Sequence, residues 1–450
     1  MTKPKEHFVC QNCGASSPKW QGQCATCGEW NTLLGEAVPG TSRHGGRVRT
    51  ARGDVSSSLA AEAAEEQPRY PTGSGELDRV LGGGLVPGSV TLIGGDPGIG
   101  KSTLMLQAAA GLNAVGPVLY ATGEESLKQV ALRARRLGLT DATARLMAET
   151  GVEAIVGAAA ALTARVLIVD SIQTMHSERI DSAPGAVSQL RECAAELVRF
   201  AKNSGTAVLL VGHVTKEGQI AGPRVLEHMV DTVLYFESDT GSRFRVLRSV
   251  KNRFGAANEI GVFAMAEQGL REVANPSAIF LSRHAEPVPG SVITVMREGT
   301  RSLLIEVQVL VDASIGSNPR RVAVGIDGNR LTMLLAVAHR HGGLLLGGQD
   351  VFANVVGGVR LAETAGDLAI VLAARSSLQD APLPSSLVAF GELGLAGEIR
   401  PVPFGEERLR EAAKHGFKVA LVPEANMPKR PPEGMTVRGV TRLSQALEAF

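Results

Sequence analysis

The residues Gly95-Asp96-Pro97-Gly98-Ile99-Gly100-Lys101-Ser102-Thr103 follow an apolar run, Ser89-Val90-Thr91-Leu92-Ile93, and open a helical pattern. Strand, glycine-rich loop, Lys-Ser and helix in that order make a complete phosphate-binding loop. Its chemistry uses each part. The glycines let backbone N–H groups close around phosphates, Lys101 reaches the β- and γ-phosphates, and the Ser102 hydroxyl can ligate Mg²⁺. The loop predicts binding and hydrolysis of ATP with Mg²⁺.

Such a loop needs a parallel sheet behind it, because phosphate sites form beyond the carboxyl ends of parallel strands. Val118-Leu119-Tyr120-Ala121-Thr122, Val166-Leu167-Ile168-Val169-Asp170 and Ala207-Val208-Leu209-Leu210-Val211, with helical patterns between them, read as strands of an α/β core. Asp170, at the carboxyl end of its strand, has the position of a Mg²⁺-organising aspartate. Thr122-Gly123-Glu124-Glu125-Ser126 offers a carboxylate to polarise the attacking water. Glu124 is taken first and Glu125 second, although a helix N-terminus also favours acidic residues for electrostatic reasons alone. His213, just past the third strand, either senses the γ-phosphate or is a histidine satisfied at a strand end.

Four of the five cysteines sit as Cys10-Gln-Asn-Cys13 and Cys24-Ala-Thr-Cys27. Two C-x-x-C turns put four thiolates within reach of one tetrahedral Zn²⁺, and Gly14 and Gly28 suit the tight turn after each pair. Without a signal peptide the chain is expected in a reducing compartment, which favours zinc over disulfides. Phe8, Val9, Trp20, Trp30 and Leu33 are the expected anchors of this short module, with the metal supplying its stability. Cys193 falls in a helical pattern and reads as a small apolar residue.

At 450 residues the chain calls for more than one core. Its 46 Lys+Arg against 45 Asp+Glu leave a net charge of +1, so contact with nucleic acid must come from local patches. No apolar run is long enough to span a membrane, and the expected location is the cytoplasm. Composition divides the chain into a zinc ribbon at 1–36, a linker with Arg43, Arg47, Arg49 and Arg52 at 37–67, an ATPase domain at 68–274 and a further domain at 275–450.

Several blocks stand in a specific order: the four-cysteine ribbon, Leu81-Gly82-Gly83-Gly84-Leu85, the phosphate loop, Gly123-Glu124-Glu125-Ser126, Asp170-Ser171-Ile172-Gln173, Gly212-His213-Val214-Thr215-Lys216-Glu217-Gly218 and Lys251-Asn252-Arg253-Phe254-Gly255. From Phe8 to Phe450 this resembles the bacterial RadA (Sms) family of DNA-repair ATPases. The resemblance implies a RecA-like P-loop ATPase core that assembles into a homo-hexameric ring. It implies binding to single-stranded and branched DNA, a RecA-type recombinase partner, and branch migration of recombination intermediates. Read physically, Lys251 and Arg253 lie on a turn after two late strands, projecting cations outward. The resemblance places that block at the subunit junction, where a cation offered to the neighbour's γ-phosphate stabilises transition-state charge. It also implies that Thr174 to Pro184 and Thr215 to Pro223 face DNA. Neither segment holds an aromatic residue, so backbone contacts are expected rather than stacking.

Beyond Asn275, Gly347-Gly348-Gln349-Asp350-Val351-Phe352, Glu363-Thr364-Ala365-Gly366-Asp367-Leu368-Ala369 and Gly391-Glu392-Leu393-Gly394 resemble the α+β proteolytic domain of Lon proteases. Their Ser-Lys dyad falls at Ala365 and Glu406, and neither residue can replace the group it stands for. A scaffold for assembly or DNA contact is the expectation. The alternatives are an ATP-dependent peptidase and an ATP-switched DNA-binding scaffold without motor activity.

Overall fold

The structure is a computed structural model, which describes residues 6–10, 15–37, 68–213, 225–237, 244–273, 275–279, 281, 286–314, 316, 318–357 and 359–450. Two units divide it, 1–273 and 274–450.

The ribbon pairs β1 (Glu6–Cys10) with β2 (Ser16–Ser17) and β3 (Leu33–Ala37), both antiparallel. Cys10, Cys24 and Leu33 form its small core, with Phe8 packed against them and Val9 buried as well. Trp20 and Trp30 correct the expectation. They are 58% and 67% exposed, both beside Gly22, because a core built around the cysteines has no room for an indole. The expected linker, beyond Ala37, lies outside the described residues.

In the remainder of the first unit, the period-two alternation of strands sorts apolar residues onto two faces. The parallel strands are β4 (Val90–Gly95), β5 (Val118–Thr122), β6 (Arg145–Ala148), β7 (Val166–Asp170), β8 (Ala207–Val211) and β9 (Thr232–Glu237). β4, β5, β7 and β8 are buried throughout, as strands covered on both faces must be. Val166 and Ile168 face a core with α1 (Gly75–Leu81), α2 (Lys101–Leu112) and α3 (Leu127–Arg136). Leu167 and Val169 face the other, with α4 (Val152–Ala161) and α5 (Val187–Ser204), and Cys193 is buried there. Burial pushes the Cys193 thiol up to about 12, which keeps it inert.

After α6 (Val225–Met229), the sheet continues antiparallel through β10 (Phe244–Asn252), β11 (Ile260–Ala266) and β12 (Gly269–Glu272). Among the described residues its order is β12-β11-β10-β9-β4-β8-β7-β5-β6. β4 has β8 on one side and β9 on the other, so the chain crosses over at β4 and opens a crevice beyond Gly95.

The second unit has a mixed sheet that begins with the hairpin of β13 (Ser291–Glu298) and β14 (Arg301–Ala313). β15 (Arg321–Val324) and β16 (Gln349–Val355) extend it on one side. On the other side lie β17 (Leu387–Ala389), β20 (Val419–Pro423) and β21 (Thr436–Val440), while β18 (Glu392–Leu393) and β19 (Ile399–Arg400) pair apart. Its helices are α7 (Gly328–Gly342), α8 (Asp367–Leu378), α9 (Gly405–Lys414) and α10 (Leu443–Glu448). No helix among the described residues is long and apolar enough to cross a membrane.

Candidate nucleotide site and metal centre

The turn from β4 into α2 depends on glycine backbone. Gly98 and Gly100 have φ of 75° and 118°, values that side chains resist. A Cβ on Gly95 would lie 2.8 Å from Cβ of Phe236. α2 starts at Lys101 with no side chain capping its first amides, which leaves them suited to an anion. Asp96, Pro97, Ile99, Ser102 and Thr103 complete the loop as the spacing predicts.

A cavity of about 340 Å³ joins Pro97, Gly98, Gly100, Lys101, Ser102 and Thr103 to Glu124, Asp170 and His213. Lys101 is buried, and its Nζ donates to the carbonyl oxygens of Gly95 (2.6 Å) and Asp96 (2.9 Å). Burial lowers its pKa, with Asp170, Glu124 and Asp96 opposing. Nζ also meets Nδ1 of His213 at 3.2 Å, and Nε2 of His213 meets Glu124 at 2.9 Å. An ammonium only donates, so Nδ1 accepts and the proton sits on Nε2, directed at Glu124. Ser171 Oγ donates to the same Glu124 oxygen at 2.5 Å. The His213 hydrogen bond, joined by that of Ser171 and opposed by burial, holds the Glu124 carboxyl down to about 2.

Asp170 closes the site on the other side, and the hydroxyl of Tyr120 donates to its Oδ2 at 2.5 Å. Burial first, and the neighbouring Asp170 charge second, push the Tyr120 phenol well above its ordinary value, so it stays a donor. Gly123 is forced by a close approach, since a Cβ there would fall 2.1 Å from Oγ1 of Thr174. Glu125 turns away from Glu124 and pairs with Arg133. Tyr120, Ser171, Arg133 and Arg136 are the site residues that sequence reasoning missed. Tyr120 alternates with the buried faces of its strand like any core residue, and only the β5–β7 register brings its hydroxyl to Asp170.

The Lys251-to-Gly255 block lies elsewhere. Lys251 belongs to β10 rather than to the turn after it, because an irregularity between Ser249 and Lys251 extends the pairing to Asn252 opposite Thr232. Its Nζ donates to the carbonyls of Glu227 (2.7 Å) and Val230 (2.8 Å), at the end of α6. Burial and Arg253 lower its pKa. Arg253, with its side chain 61% exposed, pairs with Asp231 at 3.3 Å. Thr232 pairs with Thr91, four residues before Gly95, so the block sits about 13 Å back along the strands from the phosphate loop at ~3.3 Å per residue.

The segment from Thr174 to Pro184 is folded against α5. The buried Gln189 accepts from the amide of Ser177 and donates to the carbonyls of Ile180 and Ser182. Arg179 of that segment pairs with Glu196 at 2.6 Å and Glu192 at 3.5 Å. Thr215 to Pro223 lies outside the described residues.

In the ribbon, the sulfurs of Cys10, Cys24 and Cys27 lie within 4.8 Å of one another, with Cys10 and Cys27 3.7 Å apart. A tetrahedral site with Zn–S bonds of ~2.3 Å has edges of about 3.8 Å, whereas a disulfide needs ~2.05 Å. The donor set fits Zn²⁺. Gly28 makes the knuckle turn at φ 76°, and its amide donates to the carbonyl of Cys24. Cys13 and Gly14 lie outside the described residues.

In the second unit, Ala365 is buried and Glu406 is a solvated side chain near Arg410. Beside Ala365, the buried Arg408 pairs with both oxygens of Glu363 at 2.7 Å and donates to the carbonyls of Val295 (2.5 Å) and Pro403 (3.0 Å).

Residues 74–219 match the AAA domain family, residues 8–34 the rubredoxin metal binding domain, and residues 353–426 subunit ChlI of Mg-chelatase. The chain is thus an AAA-type P-loop α/β core with a rubredoxin-like zinc ribbon before it and a ChlI/Lon-like domain after it. It is 59% identical to the DNA repair protein RadA of Pseudomonas aeruginosa over 451 residues, covering 100% of both chains. Identity to the DNA repair protein RadA of Escherichia coli is 56% over 453 residues, 99% of this chain and 98% of that one. For that of Bacillus subtilis it is 49% over 452 residues, 99% of each.

Proposed function

Because the chain belongs to the RadA family of DNA repair proteins, we propose that it is a DNA-dependent ATPase that works as a homo-hexameric ring and drives branch migration of recombination intermediates on single-stranded DNA. The observation that supports this reading most is the split placement of its charges. Lys101, Glu124, Asp170 and His213 line one cavity at the phosphate end of the sheet. Lys251 and Arg253 stand back along the strands, out of reach of their own phosphates; Lys251 is held by the carbonyls of Glu227 and Val230, and the exposed Arg253 is the one we assign to a neighbouring subunit's phosphates.

In this reading the loop amides and Lys101 bind the phosphates, and Lys101 exchanges its two carbonyl partners for them. Ser102 and Asp170 hold Mg²⁺, which when bound neutralises charge on the transferring phosphoryl group. Glu124 orients the attacking water. A carboxyl near 2 is a weak base, so while His213 and Ser171 hold it Glu124 contributes orientation and charge more than proton storage. Contact of His213 with a γ-phosphate would loosen that hold and raise the basicity of Glu124. Of the two, Glu124 rather than Glu125 takes this role, because Glu125 is committed to Arg133.

DNA contact by Thr174 to Pro184 runs through backbone groups, since Arg179 is held by glutamates. Single-stranded and branched DNA and a RecA-type recombinase are the partners in the cytoplasm. The C-terminal domain serves assembly or DNA contact. No peptidase step is proposed, as Ala365 has no nucleophile. The ribbon carries one zinc per chain, which metal analysis should find in the wild type and find lost on Cys24→Ser.

The test is branch migration on a forked substrate. Movement with ATP and none with a non-hydrolysable analogue supports the motor. Equal behaviour with both nucleotides contradicts it and favours the ATP-switched scaffold.

A further inference from the structure

Two arginines outside every motif above, Arg133 and Arg136 in the last turn of α3, line the same cavity as Gly98, Lys101, Ser102, Asp170 and His213. Arg133 is the less exposed, with 24% of its side chain open to solvent, and its guanidinium donates to Glu125 Oε1. The consecutive glutamates therefore serve different partners: Glu124 takes His213 and Ser171, and Glu125 takes Arg133. Thr122 Oγ1 accepts the amide of Glu125, which fixes where that carboxylate starts.

A half-exposed ion pair of this kind stabilises a fold by only ~0–1 kcal/mol. Fold stability is thus a poor reason for placing a second and third cation around a cavity that already holds Lys101. A ligand carrying several negative charges is a better one. A guanidinium presents a planar fork that matches two phosphate oxygens, and it keeps its charge at any working pH. Arg133 also lines the same cavity as Asp170, the carboxylate assigned to Mg²⁺.

We infer that Arg133 is a second catalytic cation, acting within its own subunit on the γ-phosphoryl group in transit, and that Glu125 is its counter-ion, holding the guanidinium at the cavity wall until phosphate oxygens compete for it. This rests on the ATPase reading and deepens it. Arg253 then serves the neighbour's phosphates while Arg133 serves its own. The Glu-Glu pair has two distinct duties, one toward water and one toward an arginine.

The experiment uses the full-length protein and compares ADP affinity with the trapping of Mg·ADP·aluminium fluoride, a mimic of the transferring phosphoryl group. Arg133→Ala should bind ADP as the wild type does and trap the mimic about 1,000-fold or more less tightly, the scale of a lost arginine at this step. Arg133→Lys should recover little, because a point charge does not fork. Glu125→Gln should keep trapping, because it only frees the cation.

Wild-type trapping by Arg133→Ala overturns the inference. So does an equal fall in Arg133→Ala and Glu125→Gln, which would make the pair structural. Loss of hydrolysis in Glu125→Gln with ADP binding intact would make Glu125 the water's base and also overturn it. A loss confined to Arg136→Ala assigns the contact to the other arginine. Failure of the ATPase reading itself looks different, since the wild type would then neither hydrolyse ATP nor trap the mimic.

Discussion

The cavity around Lys101 and the surroundings of Ala365 both join a strand end to the start of a helix, yet their polar groups are satisfied in opposite ways. Lys101 rests on two loop carbonyls and on His213, and Glu124 on His213 and Ser171. These partners border a cavity and can be exchanged for a ligand. Beside Ala365, Arg408 is 1% exposed and its donors are spent on Glu363, Val295 and Pro403. Asp367, at the start of α8, is likewise buried against Arg330 and the amide of Leu393. Burial raises its carboxyl, with Arg330 opposing. Polar groups held by exchangeable bonds mark a place for chemistry, whereas groups closed on one another mark structure.

Removing one cation from each region tests that contrast. Lys101→Ala should cut ATP hydrolysis by on the order of 10³-fold, since a preorganised cation at transferring charge contributes several kcal/mol, while the unfolding midpoint hardly moves. Wild-type turnover would break the comparison on this side. Arg408→Ala should do the reverse. It takes the guanidinium from Glu363, which keeps, among the described residues, only the amide of Arg297, and from the carbonyls of Val295 and Pro403, at a cost of about 3–5 kcal/mol read in denaturant unfolding of the C-terminal unit, with ADP affinity retained.

Acid titration sharpens the comparison at a smaller scale. The Glu124 carboxyl is held at about 2, below its ordinary 4.5. Its charged form therefore stabilises the folded state above pH 4.5, and that contribution is lost as pH falls toward 2. The side chain is 38% exposed, so after screening the effect is about 1 kcal/mol or less. Unfolding measured between pH 4.5 and 2 should show this part of the acid sensitivity in the wild type and not in Glu124→Gln. Identical pH profiles would mean that the His213 and Ser171 bonds are not formed in solution.

How much of this could be read from the sequence follows the range of the interactions. The phosphate loop is local: glycine spacing and the strand before it specify backbone that the structure reproduces. Asp170 at the end of β7 is equally local. What could not be read depends on strand order. Tyr120 reaches Asp170 because β5 lies beside β7 rather than beside β4. Arg133 reaches the cavity from a helix whose polar residues look like any solvated face. Lys251 looked like a turn residue because a β-bulge, which leaves no mark in composition, carries β10 further. Trp20 and Trp30 looked like core because bulky aromatics usually are, but the cysteines already fill that small interior.

The central claim is that one subunit completes another's site, and mixing two damaged proteins tests it most directly. Arg253→Ala keeps its own loop, Glu124 and Asp170, while Lys101→Ala keeps its own Arg253. In rings assembled at random from equal amounts, about a quarter of the interfaces combine a good loop with a good arginine. Each protein alone should be nearly inactive, and the mixture should regain part of the DNA-stimulated ATPase. No recovery despite demonstrated subunit exchange, or near-normal activity of Arg253→Ala by itself, would contradict the account.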